Sequence, residues 1–132
     1  MDHKVLVRLA RLAKKHSYSP YSRFRVGAAL LARSGKVYTG CNIENSSYGL
    51  TVCAERTAIF KAVSEGVRGF SAIAIATDED RGTPPCGACR QVLLDLAGDI
   101  EVIMVGRKGP ATVATMSELL PLPFGATHLV KE

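Results

Sequence analysis

The chain has 132 residues, of which 47% are hydrophobic and 22% are charged, a balance that is typical of a folded globular protein and excludes a disordered one. It contains no run of eighteen apolar residues, which excludes a membrane-spanning helix. The net charge is +5, but lysines and arginines are scattered and tryptophan is absent, so we expect no nucleic-acid binding. The length predicts one domain over residues 1–132.

The first predicted element is an amphipathic helix from His3 to His16, in which apolar residues recur at helical spacing. The segment Met1–Lys4 leads directly into this helix, without the apolar core of a signal peptide. We therefore expect a cytoplasmic protein. In a reducing compartment, the four cysteines of the chain indicate metal binding or catalysis more often than disulfides.

A hairpin and a second helix are predicted next. The apolar strand Val26–Ala32 is followed by a turn and by a returning strand over Val37–Ile43. A polar loop then leads to Thr51, a residue type that favours a helix N-cap, and to a helix over Cys53–Ser64.

The second half of the chain alternates strands and helices. We predict a strand over Phe70–Thr77, a helix from just after Pro85 to near Gly98, and a strand over Glu101–Val105. A weaker strand over Thr112–Ala114 and a helical turn over Ser117–Leu120 follow. Alternation of this kind after a hairpin predicts one sheet with helices on both faces, a three-layer α/β/α sandwich.

Three thiols lie in two short segments, each at a predicted helix start. Cys53 belongs to one segment, and Cys86 and Cys89 belong to the other. Unpaired amides and the helix dipole at such positions favour thiolates. A structural zinc site normally has four protein ligands, whereas a catalytic site has three and leaves the fourth position to water. The pattern therefore predicts a catalytic zinc site.

Two further residues fit this interpretation. Glu55 follows Cys53 by two positions and is the natural base for a water molecule at the metal. Three thiolates and one divalent cation leave a net negative charge, which the adjacent Arg56 would offset by hydrogen bonds to sulfur.

Other interpretations of the cysteines remain open at this point. A single Cys-x-x-Cys pair is typical of a structural zinc half-site or a redox pair, but no second pair and no redox-fold pattern accompany it. Cys41 could complete a closed zinc site, yet it lies in a strand of small buried residues, so we assign it to the core.

The segments Cys53–Glu55 and Pro85–Cys89 resemble the zinc deaminases, whose motifs are H-x-E and P-C-x-x-C. Here Cys53 stands where many members carry His. This departure and the stretch Cys41–Tyr48 resemble the small homotetrameric cytidine deaminases, over nearly the entire chain. The resemblance implies a mixed five-stranded sheet, one Zn²⁺ per subunit and a homotetramer whose active sites are shared between subunits.

The resemblance also implies a reaction and its substrate contacts. Free cytidine and deoxycytidine would be hydrolysed to uridine, deoxyuridine and ammonia in pyrimidine salvage, with Glu55 moving the protons. Asn42 and Glu44 match the pair that holds the ribose hydroxyls, and Phe24 matches the ring that packs on the pyrimidine. The other matches are Ala54, whose backbone would contact the base, Tyr48 and Tyr21 at subunit contacts, and Phe124, which would reach into a neighbouring site.

Two alternatives are retained. One is a deaminase of another small cytosine nucleoside, such as an antibiotic; the other is a noncatalytic zinc module that binds nucleic acid. Asn42 and Glu44 favour a free nucleoside. A deaminase of polynucleotides must instead admit flanking phosphates with a flipped base, and the sequence shows no phosphate groove.

Overall fold

The computed structural model describes residues 2–129. Its strands are β1 (Val26–Ala32), β2 (Val37–Cys41), β3 (Phe70–Thr77), β4 (Glu101–Val105) and β5 (Thr112–Thr115). They form one mixed sheet in the order β2-β1-β3-β4-β5. The β3–β4 pair is parallel and the other neighbours are antiparallel. The mixed five-stranded sheet is confirmed.

Helices cover both faces of this sheet. They are α1 (His3–Lys14), α2 (Ala54–Ser64), α3 (Gly87–Ala97) and the short α4 (Met116–Leu119). Leu6 and Ala10 of α1 pack on one face, in one buried cluster. Ile59 of α2 and Leu93 of α3 belong to the cluster on the other face. The three-layer architecture is therefore confirmed, and none of the helices within residues 2–129 is long and apolar enough to cross a membrane.

The central strands are apolar on both sides because both sides are covered. Ala28 and Leu30 face the cluster that contains α2 and α3, whereas Ala29 and Leu31 face the cluster that contains α1. A strand between two helical layers therefore reads as a continuous apolar run, without the alternation of a half-exposed strand. This run is the reason that the bounds of β1 were predictable from the sequence.

Two predicted bounds are wrong by two residues. The first helix ends at Lys14 because the amides of Lys15 and His16 bond to carbonyls three residues back, which tightens the chain out of α-helical geometry. The second strand ends at Cys41. Beyond it, Ile43 makes isolated bridges to Tyr18 and Val52, which shape the loop before α2.

The predicted N-cap at Thr51 is also wrong. The N-cap of α2 is Cys53, and the Thr51 hydroxyl instead accepts a hydrogen bond from the Asn45 amide at 3.1 Å. Thr51 therefore holds the preceding loop, and the cysteine itself stands at the helix start.

Gly40 of β2 allows the first turn of α2 to rest directly on the sheet. A Cβ atom built at this glycine would lie 2.6 Å from the carbonyl oxygen of Ala54 and 2.6 Å from the amide nitrogen of Ala58. Both are backbone atoms, so a rotamer change cannot relieve the clash. The close approach sets the position of the turn that carries Glu55.

We predict that Gly40→Ala pushes the first turn of α2 away from the sheet. Overpacking of this kind costs about 1–3 kcal/mol of unfolding free energy. Urea unfolding and zinc content measure the effect, and Gly49→Ala is the matched control because its added Cβ meets nothing within 4 Å. Equal stability and equal zinc content in the two variants would contradict the close packing.

Candidate active site

The sulfurs of Cys53, Cys86 and Cys89 form a cluster where the first turns of α2 and α3 meet. Cys53 is the N-cap of α2, Cys86 is the N-cap of α3, and Cys89 lies in the first turn of α3. All three Sγ atoms lie within 4.8 Å of one another. The two helices contact each other on one face of the sheet, and this contact brings the predicted ligands together.

The spacing of these sulfurs fits a tetrahedral zinc ion. Zinc–sulfur bonds of about 2.3 Å place two thiolate ligands about 3.8 Å apart. The Cys53–Cys86 and Cys86–Cys89 sulfur distances are 4.0 Å and 3.4 Å. Within residues 2–129, no fourth Cys, His, Asp or Glu joins the cluster, and Cys41 is a separate free cysteine. The donor set is therefore that of an open site.

The ionisation of the Cys53 thiol is linked to that of the Cys89 thiol. A hydrogen bond from Cys89, with further help from Arg56, lowers the pKa of Cys53 to about 5. The same contact with Cys53, together with burial, raises the pKa of Cys89. Once Cys53 is a thiolate, the buried Cys89 beside it becomes a thiolate readily only against a cation. The cluster is thus positioned and chemically suited to bind a metal ion, and Zn²⁺ is the metal that matches its ligands.

Arg56 supplies positive charge to this cluster. Its Nη2 donates a hydrogen bond to the Cys53 sulfur at 3.3 Å, and this contact raises the pKa of the guanidinium. Its Nε is buried and has no acceptor within the described part of the chain. The guanidinium is therefore directed at the sulfurs, where three thiolates on a divalent cation need a compensating charge.

Glu55 is a buried acid beside the sulfurs. Glu55 is only 4% exposed, and burial raises the pKa of its carboxyl group to about 7. A carboxyl group with that pKa is present in both protonation states near neutral pH, which suits a group that accepts and returns protons.

A cavity of about 290 Å³ adjoins the acid and the sulfurs, close to the lower end of the range for small-molecule sites. Predicted site residues that line it are Phe24, Asn42, Glu44, Cys53, Glu55 and Cys86. Cys89 and Ala54 are fully buried behind this wall. The cavity is large enough for a molecule of nucleoside size.

Asn42 organises the start of β1 as well as lining the cavity. Its Nδ2 donates to the Phe24 carbonyl at 2.8 Å, and its Oδ1 accepts from the Val26 amide at 2.9 Å. Ser17 donates a further hydrogen bond to the same Oδ1. One Nδ2 hydrogen remains for a ligand, because an amide nitrogen carries two.

Glu44 is held by the loop that follows α1. Its Oε1 accepts from the amides of Tyr21 and Ser22 at 2.9 Å and 3.1 Å, and the Ser22 hydroxyl donates to Oε2. These hydrogen bonds, led by the one from the Ser22 hydroxyl, lower the pKa of the Glu44 carboxyl. The carboxylate is therefore ionised and oriented at the rim of the cavity.

A second cavity lies beside the first and contains the two predicted tyrosines. Tyr21 and Tyr48 line it with Glu44, and their rings meet edge to face at 6.0 Å. Phe124 is elsewhere, 58% exposed and stacked on His128. Its ring lines neither of these cavities in its own chain.

Several lining residues were missed by reasoning from the sequence. Thr77, at the carboxyl end of β3, is 2% exposed, and its hydroxyl contacts that of Thr83 at 2.9 Å. Ligands of open α/β sheets bind beyond the carboxyl ends of strands, so the strand prediction contained a signal for Thr77. The others, which were not assigned to the site, are Ser22, Val26, Thr51, Ile75, Thr83 and Pro84.

Residues 1–106 match the cytidine and deoxycytidylate deaminase zinc-binding region. The chain belongs to this deaminase family. It is 54% identical over 130 residues to a cytidine deaminase of Halalkalibacterium halodurans, with 98% of each chain covered. It is 41% identical over 132 residues to a cytidine deaminase of Mycobacterium tuberculosis, with 100% of this chain and 96% of the relative covered.

The same family appears among solved structures. The fold is similar to the crystal structure of a cytidine deaminase from Burkholderia pseudomallei, with a TM-score of 0.91, 46% identity and coverage of 94% of this chain and 100% of that one. A Mycobacterium tuberculosis cytidine deaminase structure aligns with a TM-score of 0.83 at 40% identity, covering 95% of this chain and 98% of that one. Both likenesses extend over nearly the whole chain.

Proposed function

We propose that the protein is a zinc-dependent cytidine deaminase that converts free cytidine and deoxycytidine to uridine and deoxyuridine in pyrimidine salvage. The observation that carries this proposal is a buried acid, Glu55, beside three clustered cysteine sulfurs at the wall of a nucleoside-sized cavity. In such a site, the three cysteines would bind a metal ion with one coordination position left for water, and Glu55 would act as the general acid and base.

In this proposal, Cys53, Cys86 and Cys89 hold the zinc ion, and Arg56 offsets the charge of their thiolates. When bound, zinc supplies Lewis acidity that makes water a stronger acid near neutral pH. The reaction adds water at C4 of cytosine and breaks the bond from C4 to the amino nitrogen, which leaves as ammonia. Glu55 moves one proton of the water to N3, and it then moves the second proton, from the hydroxyl group that is now on C4, to the departing nitrogen, so that C4 ends as a carbonyl.

The remaining cavity residues select the nucleoside. Glu44 and Asn42 hold the ribose hydroxyls, since a carboxylate and an amide hydrogen can bind a diol. Phe24 packs on the pyrimidine ring, and the Ala54 backbone contacts the base. The exposed wall of the cavity is mostly apolar, which suits a flat base with few polar contacts.

We further propose that residues 1–132 form one domain and that the protein is a cytoplasmic homotetramer with shared sites. Unbonded thiols persist in a reducing compartment. Tyr21 and Tyr48, which line the second cavity, and Leu50, two residues after Tyr48, are exposed, with Tyr48 at 74%, and clustered exposed apolar side chains are typical of subunit contacts. Phe124, also exposed, would reach the site of a neighbouring subunit.

We predict that Glu55→Gln lowers kcat for cytidine by about 100- to 10,000-fold, the range for loss of a general acid–base. The ultraviolet change from cytidine to uridine measures turnover, with and without a chelator. Zinc content should stay at one ion per subunit, and Glu65→Gln, an exposed glutamate at the end of the same helix, should keep full activity.

Near-normal turnover by zinc-loaded Glu55→Gln protein would contradict the proposed role. Turnover of another cytosine nucleoside with none of cytidine would favour an antibiotic deaminase. A salt-sensitive gel shift without any deamination would favour a noncatalytic nucleic-acid-binding module.

We also predict that the Phe124→Ala and Glu55→Gln variants restore each other's activity in mixed tetramers, because each active site would contain residues of two subunits. Phe124→Ala should raise KM for cytidine, and Glu55→Gln should remove activity. Mixed tetramers, formed by refolding the two variants together, should regain measurable activity at low KM because some sites then contain both native residues. Activity no greater than the sum of the separate variants, or an active monomer on gel filtration, would contradict sharing.

A further inference from the structure

The peptide group between Phe24 and Arg25 is held at both ends by side chains from the two strands that flank β1. The Asn42 Nδ2, just after β2, donates to the Phe24 carbonyl at 2.8 Å. The Asp78 Oδ2, just after β3, accepts from the Arg25 amide at 3.1 Å. Because a peptide group is planar, contacts at its oxygen and at its nitrogen together fix its orientation.

The Asp78 carboxylate is itself firmly placed. Arg25 binds it with two side-chain nitrogens, Nε at 3.0 Å and Nη2 at 3.1 Å, and Lys14 at the end of α1 contacts it at 3.1 Å. Led by the hydrogen bond from the Arg25 guanidinium, these contacts lower the pKa of Asp78 to about 2. Lys14 also donates to the Thr77 carbonyl at 3.3 Å, so the acceptor remains charged and anchored.

This clamp matters because of what precedes the peptide group. Phe24 lines the main cavity but lies before the first residue of β1, outside the regular strand ladder. Within the described residues, the Phe24 amide donates only to the Ser22 hydroxyl, at 3.0 Å. Side-chain contacts to residues 24–26 therefore set the direction of the Phe24 ring. Among the described residues that make these contacts, Ser22 and Asn42 line the main cavity and Asp78 does not.

We propose that Asp78 is a positioning residue that holds the Phe24 ring in the orientation that packs on the substrate's base. The inference rests on the proposed deaminase function. Asp78 lines neither of the cavities described above and acts through the Arg25 amide. Its loss therefore weakens binding of the pyrimidine, while the metal ligands and Glu55 remain in place.

The test compares steady-state kinetics of four variants of the zinc-loaded enzyme. Asp78→Ala should raise KM for cytidine and the inhibition constant of uridine about tenfold, the scale of one hydrogen bond to a charged group, with kcat within about twofold. Asp78→Asn keeps an oxygen for the Arg25 amide and should raise KM much less. Arg25→Ala keeps the backbone N–H and should behave like Asp78→Asn.

Asp80→Asn is the matched control. Asp80 lies on the same loop as Asp78, and its substitution removes the 2.8 Å ion pair with Arg107 without touching residues 24–26. It should leave KM and kcat unchanged. Equal rises in KM for Arg25→Ala and Asp78→Ala would overturn the proposal, since the ion pair would then be what matters. Lost zinc or a lowered kcat at unchanged KM would also overturn it, as signs of a general structural role.

Two outcomes separate this inference from the function on which it rests. A wild-type enzyme that deaminates cytidine, with an unchanged KM in Asp78→Ala, would overturn the inference alone. A zinc-loaded wild-type protein without turnover would overturn the proposed function, and the inference with it. If Asp78→Ala does not fold, Asp78→Asn and Arg25→Ala carry the test: a KM close to that of the wild type in both supports the inference, and a tenfold rise in KM in either would overturn it, because both variants keep the contact to the Arg25 amide.

Discussion

The close approach of three cysteine sulfurs, one of them buried, is the constraint on which the site depends. The first turns of two helices bring the sulfurs of Cys53, Cys86 and Cys89 within 4.8 Å of one another, and the contact with Cys53 raises the pKa of the buried Cys89. Helix amides and the Arg56 guanidinium reduce this cost of ionisation, but a divalent cation is what removes it. The fold therefore places three ligands for a metal ion and no fourth protein ligand among the described residues.

The sheet places Phe24, Asn42 and Asp78 close together at one end of its strands. Antiparallel pairing sets Val26 opposite Thr77 and Gly27 opposite Cys41, so the beginning of β1 lies between the ends of β2 and β3. Residues just beyond those ends, among them Asn42 and Asp78, can therefore hold the segment that carries Phe24. Contacts from cavity-lining side chains and from side chains outside the cavity arise from one register, which explains why residues far apart in sequence act on one short stretch of backbone.

The sequence predicted those parts of the fold that depend on local composition. The bounds of β1, β3 and β4 follow from apolar runs covered on both faces, and the cysteine cluster follows from the spacing of two motifs at helix starts. It did not predict the end of α1, where the amides of Lys15 and His16 bond to carbonyls three residues back, or the N-cap of α2, because the Thr51 hydroxyl accepts from the Asn45 amide instead. The hydroxyls of Ser22 and Thr83 and the contact of Asp78 with the Arg25 amide depend on strand register, which no local pattern encodes.

The central claim is that zinc is held by three cysteine sulfurs with one position left open. X-ray absorption at the zinc edge of the purified protein tests it directly. The account predicts one zinc ion per chain with three sulfur neighbours at about 2.3 Å and one lighter oxygen or nitrogen neighbour at about 2.0 Å. Four sulfur neighbours, which would mean that Cys41 closes the site, or protein that contains no zinc, would contradict it.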